Sequence, residues 1–112
     1  MSATVSVTLP KGAEEKMRRI AEREGHSLAE TVGLLAEEAL KGREIPGIYF
    51  MDGPTGRRAR LVGGPDVWEV IEPYYTWGKD WDILRESYPD LDEAVLRTAL
   101  RYYEAYPAEI EA

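Results

Sequence analysis

Apolar and polar positions alternate at the start of the chain. Val5, Val7 and Leu9 are separated by Ser6 and Thr8, with Thr4 before them. A period of two sends alternate side chains to opposite faces of an extended backbone. The pattern predicts a short N-terminal β-strand closed by Pro10. The period then changes. Ala13, Met17, Ile20 and Ala21 recur at helical spacing, predicting a helix over residues 11 to about 24. Glu14 and Glu15 fall in its first turn, where the helix dipole favours acids, and Gly25 is its stop. Ser27-Leu28-Ala29-Glu30 has the form of a capping box. Behind it Leu28, Val32, Leu35, Ala36, Ala39 and Leu40 form a broad apolar stripe, with Gly42 placed to end the second helix.

Pro46-Gly47 breaks the pattern. Ile48-Tyr49-Phe50-Met51 is rich in β-formers, Asp52-Gly53-Pro54-Thr55-Gly56 is a dense turn, and residues 57–62 can return as a second strand, giving a hairpin. Asp66 can cap a short helix with Val67, Val70 and Ile71 on one face. Pro73 is expected to end or kink it near Glu72, which leaves Tyr74 and Tyr75 unassigned. Asp80 opens another short helix, with Trp81, Leu84 and Tyr88 on one side and Pro89 behind. Asp90-Leu91-Asp92-Glu93 repeats the capping logic for a last helix that runs to about Tyr106. Three short helices with a tight turn before the last have a helix-turn-helix outline, and Trp68, Trp81, Leu84, Tyr88, Leu96 and Leu100 are its expected core. The predicted fold is mainly α: an N-terminal β-ribbon with two helices (1–43), a linker and β-hairpin (44–65), and a trihelical unit (66–112).

A lone terminal strand can neither bury an apolar face nor satisfy its edge. A strand with two helices is also too small to hold a core. A second copy of the chain answers both needs. Paired antiparallel, two strands place Val5, Val7 and Leu9 inward as the core of a homodimer's ribbon and Thr4, Ser6 and Thr8 outward. A two-stranded ribbon fits the major groove of DNA.

Residues 3–42 resemble the ribbon-helix-helix (Arc/MetJ/CopG-type) DNA-binding module. The resemblance rests on the alternating ribbon ending at Pro10, the helix with Met17 and Ile20, the turn Glu24-Gly25-His26-Ser27, and the helix opening Leu28-Ala29-Glu30-Thr31. It implies an intertwined dimer in which Thr4, Ser6 and Thr8 read the bases of a double-stranded operator. It also implies a phosphate held by the backbone amides near Ser27 and Leu28, which helix-terminus physics favours as well. The outward ribbon face carries hydroxyls only, where bidentate base pairing uses Arg, Lys, Asn or Gln. Residues 47–112 are similar to a bacterial family of small trihelical proteins. The matching stretches are Gly56-Arg57-Arg58, Asp66-Val67-Trp68-Glu69-Val70-Ile71, Tyr88-Pro89-Asp90-Leu91 and Ala99-Leu100-Arg101-Tyr102-Tyr103. That resemblance implies an antitoxin of VapB type, from a toxin–antitoxin pair whose toxin is a PIN-like ribonuclease.

Composition narrows the choice of partner. The chain has 112 residues, 44% hydrophobic and 31% charged, and no apolar run long enough to span a bilayer. No signal peptide is evident. There is no cysteine, which excludes disulfides and thiolate sites and fits a cytoplasmic home. A single histidine, His26, reads as a surface turn residue, and neither a metal nor a cofactor is expected. Charge is uneven: residues 1–46 hold seven Lys/Arg and eight Asp/Glu, residues 47–112 seven and 13. Only the near-neutral first part suits DNA; the acidic remainder suits a basic protein. The last helix opens on Asp90, Asp92 and Glu93, acids where a recognition helix would meet phosphate. Arg57, Arg58 and Arg60 form the densest basic cluster. They can enter a carboxylate-lined nuclease site or pair with the chain's own acids. With Trp77, Tyr102, Tyr103 and Tyr106 they are the candidate toxin-binding residues. No carboxylate pair is spaced with a nucleophile or histidine for catalysis, so no enzyme is expected. The expected function is an antitoxin that inhibits a PIN-like ribonuclease and autoregulates its operon. The alternative is a stand-alone ribbon-helix-helix transcriptional regulator.

Overall fold

Residues 3–10 form no strand. In the computed structural model, which describes residues 3–53 and 56–111, this segment makes no sheet pairing, and Val5 and Val7 are 77% and 66% exposed. Alternation sorts side chains onto two faces but supplies no second strand, and an unpaired strand leaves its backbone to water. The expected N-terminal β-ribbon is therefore corrected. The β-structure among the described residues is one antiparallel hairpin in mid-chain, after two helices.

The chain divides into two compact units, Met1–Ala39 and Leu40–Ala112. The first holds α1 (Ala13–Glu24) and most of α2 (Leu28–Glu44). Helix α1 opens on Glu14 and Glu15, which pair one turn on with Arg18 at 2.8 Å and Arg19 at 2.6 Å. It closes on Gly25, whose φ of 73° needs a residue without Cβ strain. The His26 amide then donates to Ala21 O at 2.9 Å, a Schellman-type closure. The capping box expected at α2 is present. The Glu30 amide donates to Ser27 Oγ and the Ser27 amide to Glu30 Oε1, each at 3.1 Å. Gly42 does not stop α2, which continues to Glu44.

The second unit starts with the last turn of α2. It continues through β1 (Ile48–Gly53), β2 (Gly56–Leu61), α3 (Val67–Thr76), α4 (Trp81–Ser87), α5 (Glu93–Ala105) and α6 (Pro107–Glu111). The hairpin register runs from Ile48 opposite Leu61 to Gly53 opposite Gly56. Pro54 and Thr55, expected at its turn, lie outside the described residues. Its inward residues Ile48, Ala59 and Leu61 share a core with Val67, Val70 and Ile71 of α3, Leu84 of α4, Leu96, Ala99 and Tyr102 of α5, and Ile110 of α6. The hairpin is thus part of the helical unit's core. Gly47, at φ 104°, lets β1 start against α5: a Cβ there would stand 3.3 Å from Thr98 Cγ2.

Helix α3 does not end at Glu72. It runs through Pro73 to Thr76. A proline inside a helix removes the N–H that would bond the carbonyl four residues back, here that of Glu69. The Tyr88 hydroxyl, from the end of α4, donates to Glu69 O at 3.0 Å and fills that vacancy. Burial first, then the nearby Glu69 carboxylate, raises the Tyr88 phenol above its ordinary pKa, keeping it a donor.

Candidate functional site

The surface of the second unit is decided by where α3 turns its large side chains. Val67, Val70 and Ile71 face the core. The positions between them carry Trp68, Glu72 and Tyr75 along one flank, one helical turn apart. Trp68, expected in the core, is 37% exposed, Tyr75 44% and Trp77, the C-cap, 40%. Beside this flank lies a groove of about 260 Å³ between α3, α5 and α6. Its buried members are Ile71 and Ile110, and its aromatic members are Trp68, Tyr75 and Tyr103, with Glu72 and Thr76 at its edge. Tyr75 and Tyr103 meet edge to face, centroids 5.3 Å apart at 88°.

Two cations already lie on this aromatic flank. The Arg58 guanidinium stands 5.6 Å from the Trp68 ring and Lys79 Nζ 4.8 Å from Tyr75. The other hairpin arginines face carboxylates of their own chain. Arg57 pairs with Asp52, directly opposite in the register, at 3.3 Å. Arg60 Nε faces Asp66 at 3.5 Å, an ion-pair distance without a hydrogen bond, while Arg60 Nη2 donates to Gly64 O at 3.4 Å. Of the basic cluster, Arg57 and Arg60 thus face the chain's own acids, as one of the two readings of the sequence has it, and Arg58 lies over a ring.

The remaining candidates separate by depth. Tyr102 has no exposed surface and belongs to the core; its hydroxyl donates to Glu109 Oε1 at 2.6 Å. A buried ring offers nothing to a partner, so Tyr102 leaves the candidate set. Tyr103 lines the groove, and Tyr106 is half-buried, donating to Glu44 Oε1 at 2.8 Å under the Lys41 ammonium, 4.7 Å from its ring. Lys41 in turn pairs with Glu109 at 2.9 Å, so the end of α2 is tied to α5 and α6 through Tyr106 and Glu109. Of the predicted set, Tyr103 lines the groove beside the exposed flank, and Trp77 is exposed at the C-cap of α3 without lining it. Trp68 and Tyr75 were missed as surface residues. Their one-flank spacing is visible only once α3 continues through Pro73.

In the first unit Thr4, Ser6 and Thr8 are exposed, and so are Val5 and Val7; Leu9 is half-buried. Ser27 and half-buried Leu28 stand at the α2 N-terminus, but the Ser27 amide is taken by Glu30. His26 Nδ1 lies 3.6 Å from the same carboxylate. The backbone bond from Ser27, with smaller help from its hydroxyl and His26, holds the Glu30 carboxyl below the ordinary glutamate range. Of the amides expected to hold a phosphate, that of Ser27 is thus bonded to the chain's own carboxylate.

The chain matches no protein-family model, no curated protein and no solved structure. Among the described residues, no helix is long and apolar enough to cross a membrane, and no three His, Cys, Asp or Glu side chains are grouped to hold a metal.

Proposed function

We propose that the protein is an antitoxin, binding a PIN-like ribonuclease through its second unit and inhibiting it by occupancy. The observation that carries this reading is the exposed aromatic flank of α3, Trp68 and Tyr75, on a folded unit that also exposes Trp77 at the end of the helix. Tryptophan and tyrosine dominate binding hot spots, and monomers rarely leave such side chains together in water. The same unit holds nine Lys/Arg against 14 Asp/Glu. That charge repels nucleic acid and attracts a basic protein surface.

With the hairpin arginines engaged by their own chain, the inhibitory contact centres on α3. Autoregulation through an N-terminal ribbon drops out with the ribbon. Self-association stays in the reading. In the first unit only Ala21 and Thr31 are buried among the described residues, while Val5, Val7 and Leu34 are exposed. A second copy would cover that apolar surface.

Capture from the native host at high salt tests the reading, since salt strips bridging nucleic acid. A ribonuclease retained in stoichiometric amount, and silent until released, is the expected result. A clean eluate, or a retained nuclease that stays fully active in the complex, overturns it.

A further inference from the structure

Resting on the reading that the second unit holds a protein partner, we propose that the groove between α3, α5 and α6 receives an arginine side chain from a basic, apolar-stemmed segment of that partner. The groove is about 260 Å³, below the roughly 300 Å³ at which small-molecule sites begin. Its size suits one long side chain rather than a cofactor. Ile71 and Ile110 give it an apolar lining for a methylene stem. Trp68 and Tyr75 give it rings that accept cations: Arg58 and Lys79 of the same chain stand over them, and the incoming guanidinium takes a ring face in exchange for one of these exposed contacts.

Charge selects the occupant. Glu72 lines the groove and is exposed, and it makes no ion pair among the described residues. Glu69, nearly one turn earlier on α3 and outside the groove's lining, makes none either; Tyr88 bonds its carbonyl and not its carboxylate. An acid beside aromatic walls over an apolar floor is complementary to a cation on an aliphatic stem. Between the two such residues, arginine fits better. Its flat guanidinium stacks on a ring and presents a fork to a carboxylate, where lysine offers a hydrated point charge.

The test titrates the full-length protein with a blocked amphipathic Leu/Arg peptide and with its Leu/Lys and Leu/Glu counterparts. The readout is the Trp68 indole N–H resonance, assigned with Trp68→Phe. The expected result is a saturable shift with the Leu/Arg peptide, weaker binding of Leu/Lys and none of Leu/Glu. Glu72→Gln should weaken the Leu/Arg peptide about tenfold, the loss of one charge-assisted contact, and Tyr75→Leu by a smaller factor. Equal binding of the Leu/Glu peptide, indifference to Glu72→Gln, or an unmoved Trp68 resonance would each overturn the assignment. Failure of the broader reading looks different. If Glu72→Gln still captures and silences a ribonuclease as the unaltered chain does, the groove is not the seat and the inhibitor reading stands. If the unaltered chain captures no ribonuclease, the inhibitor reading falls.

Discussion

In Met1–Ala39 the described residues bury Ala21 and Thr31, and the helices are held by contacts a turn apart: Glu14 with Arg18, Glu15 with Arg19, Ser27 with Glu30. In Leu40–Ala112 twelve apolar side chains share one cluster, and polar contacts join distant parts, such as Tyr106 with Glu44 and Tyr88 with Glu69. The first region is specified by local signals and has little to lose by core disruption. The second is specified by packing and loses everything if the packing fails. A region without its own core depends on what docks against it. A region with one can spend exposed aromatics on binding.

All three tryptophans lie in the second unit, so their fluorescence reports that unit alone. Leu61→Ala, at a position with no exposure, should cost about 2–5 kcal/mol in a urea transition followed by tryptophan emission. A mutant within 1 kcal/mol of the parent would break the contrast. Tyr88→Phe should cost about 0.5–1.5 kcal/mol in the same assay, the net worth of one hydrogen bond to a carbonyl that water can also reach. Pro73→Ala, which restores the helical N–H, should shrink that cost; an undiminished cost in the double mutant would show that the hydroxyl acts elsewhere. Ser27→Ala should remove about 1 kcal/mol of helix stability, read by far-ultraviolet circular dichroism and invisible to tryptophan.

Acid sharpens the same comparison. Glu30 is held below the ordinary glutamate range chiefly by the Ser27 amide, and Glu93 chiefly by its hydrogen bond from Arg97. A lowered folded-state pKa stabilises above the unfolded value, about 4.3, and the gain is lost as pH falls through the folded value. Helix content should hold above that pH and decline below it. In Glu30→Gln the decline should lose its contribution from α2. The smallest effect belongs to Glu14→Gln, about 0.3–0.5 kcal/mol, since the pair is exposed and screened. It should vanish in high salt.

What could be read from the sequence follows the same division. The helix starts at Ser27 and Asp80 were visible because a cap lies within three residues of what it caps. The hairpin strands were visible because β-formers flank a dense turn. The ribbon was misread because alternation at Val5, Val7 and Leu9 defines faces without naming a partner. The continuation of α3 was invisible because the donor that takes the place of the missing Pro73 N–H lies 19 positions from Glu69 in the chain. That one miss also hid the exposed aromatic flank, since Tyr75 joins Trp68 on it only if the helix passes Pro73.

The Tyr88 bond has a further consequence for the order of assembly. The carbonyl that Pro73 leaves without its helical donor gains a protein partner only when α4 has delivered its terminal tyrosine. Local coiling and long-range docking are therefore linked by a hydrogen bond at this place. Amides on either side of Pro73 should exchange with deuterium only through opening of the whole second unit, not by fraying of a single helix. In Tyr88→Phe the amides after Pro73 should begin to exchange ahead of the rest, uncoupling a segment that carries Tyr75 and Trp77 from the core beneath it.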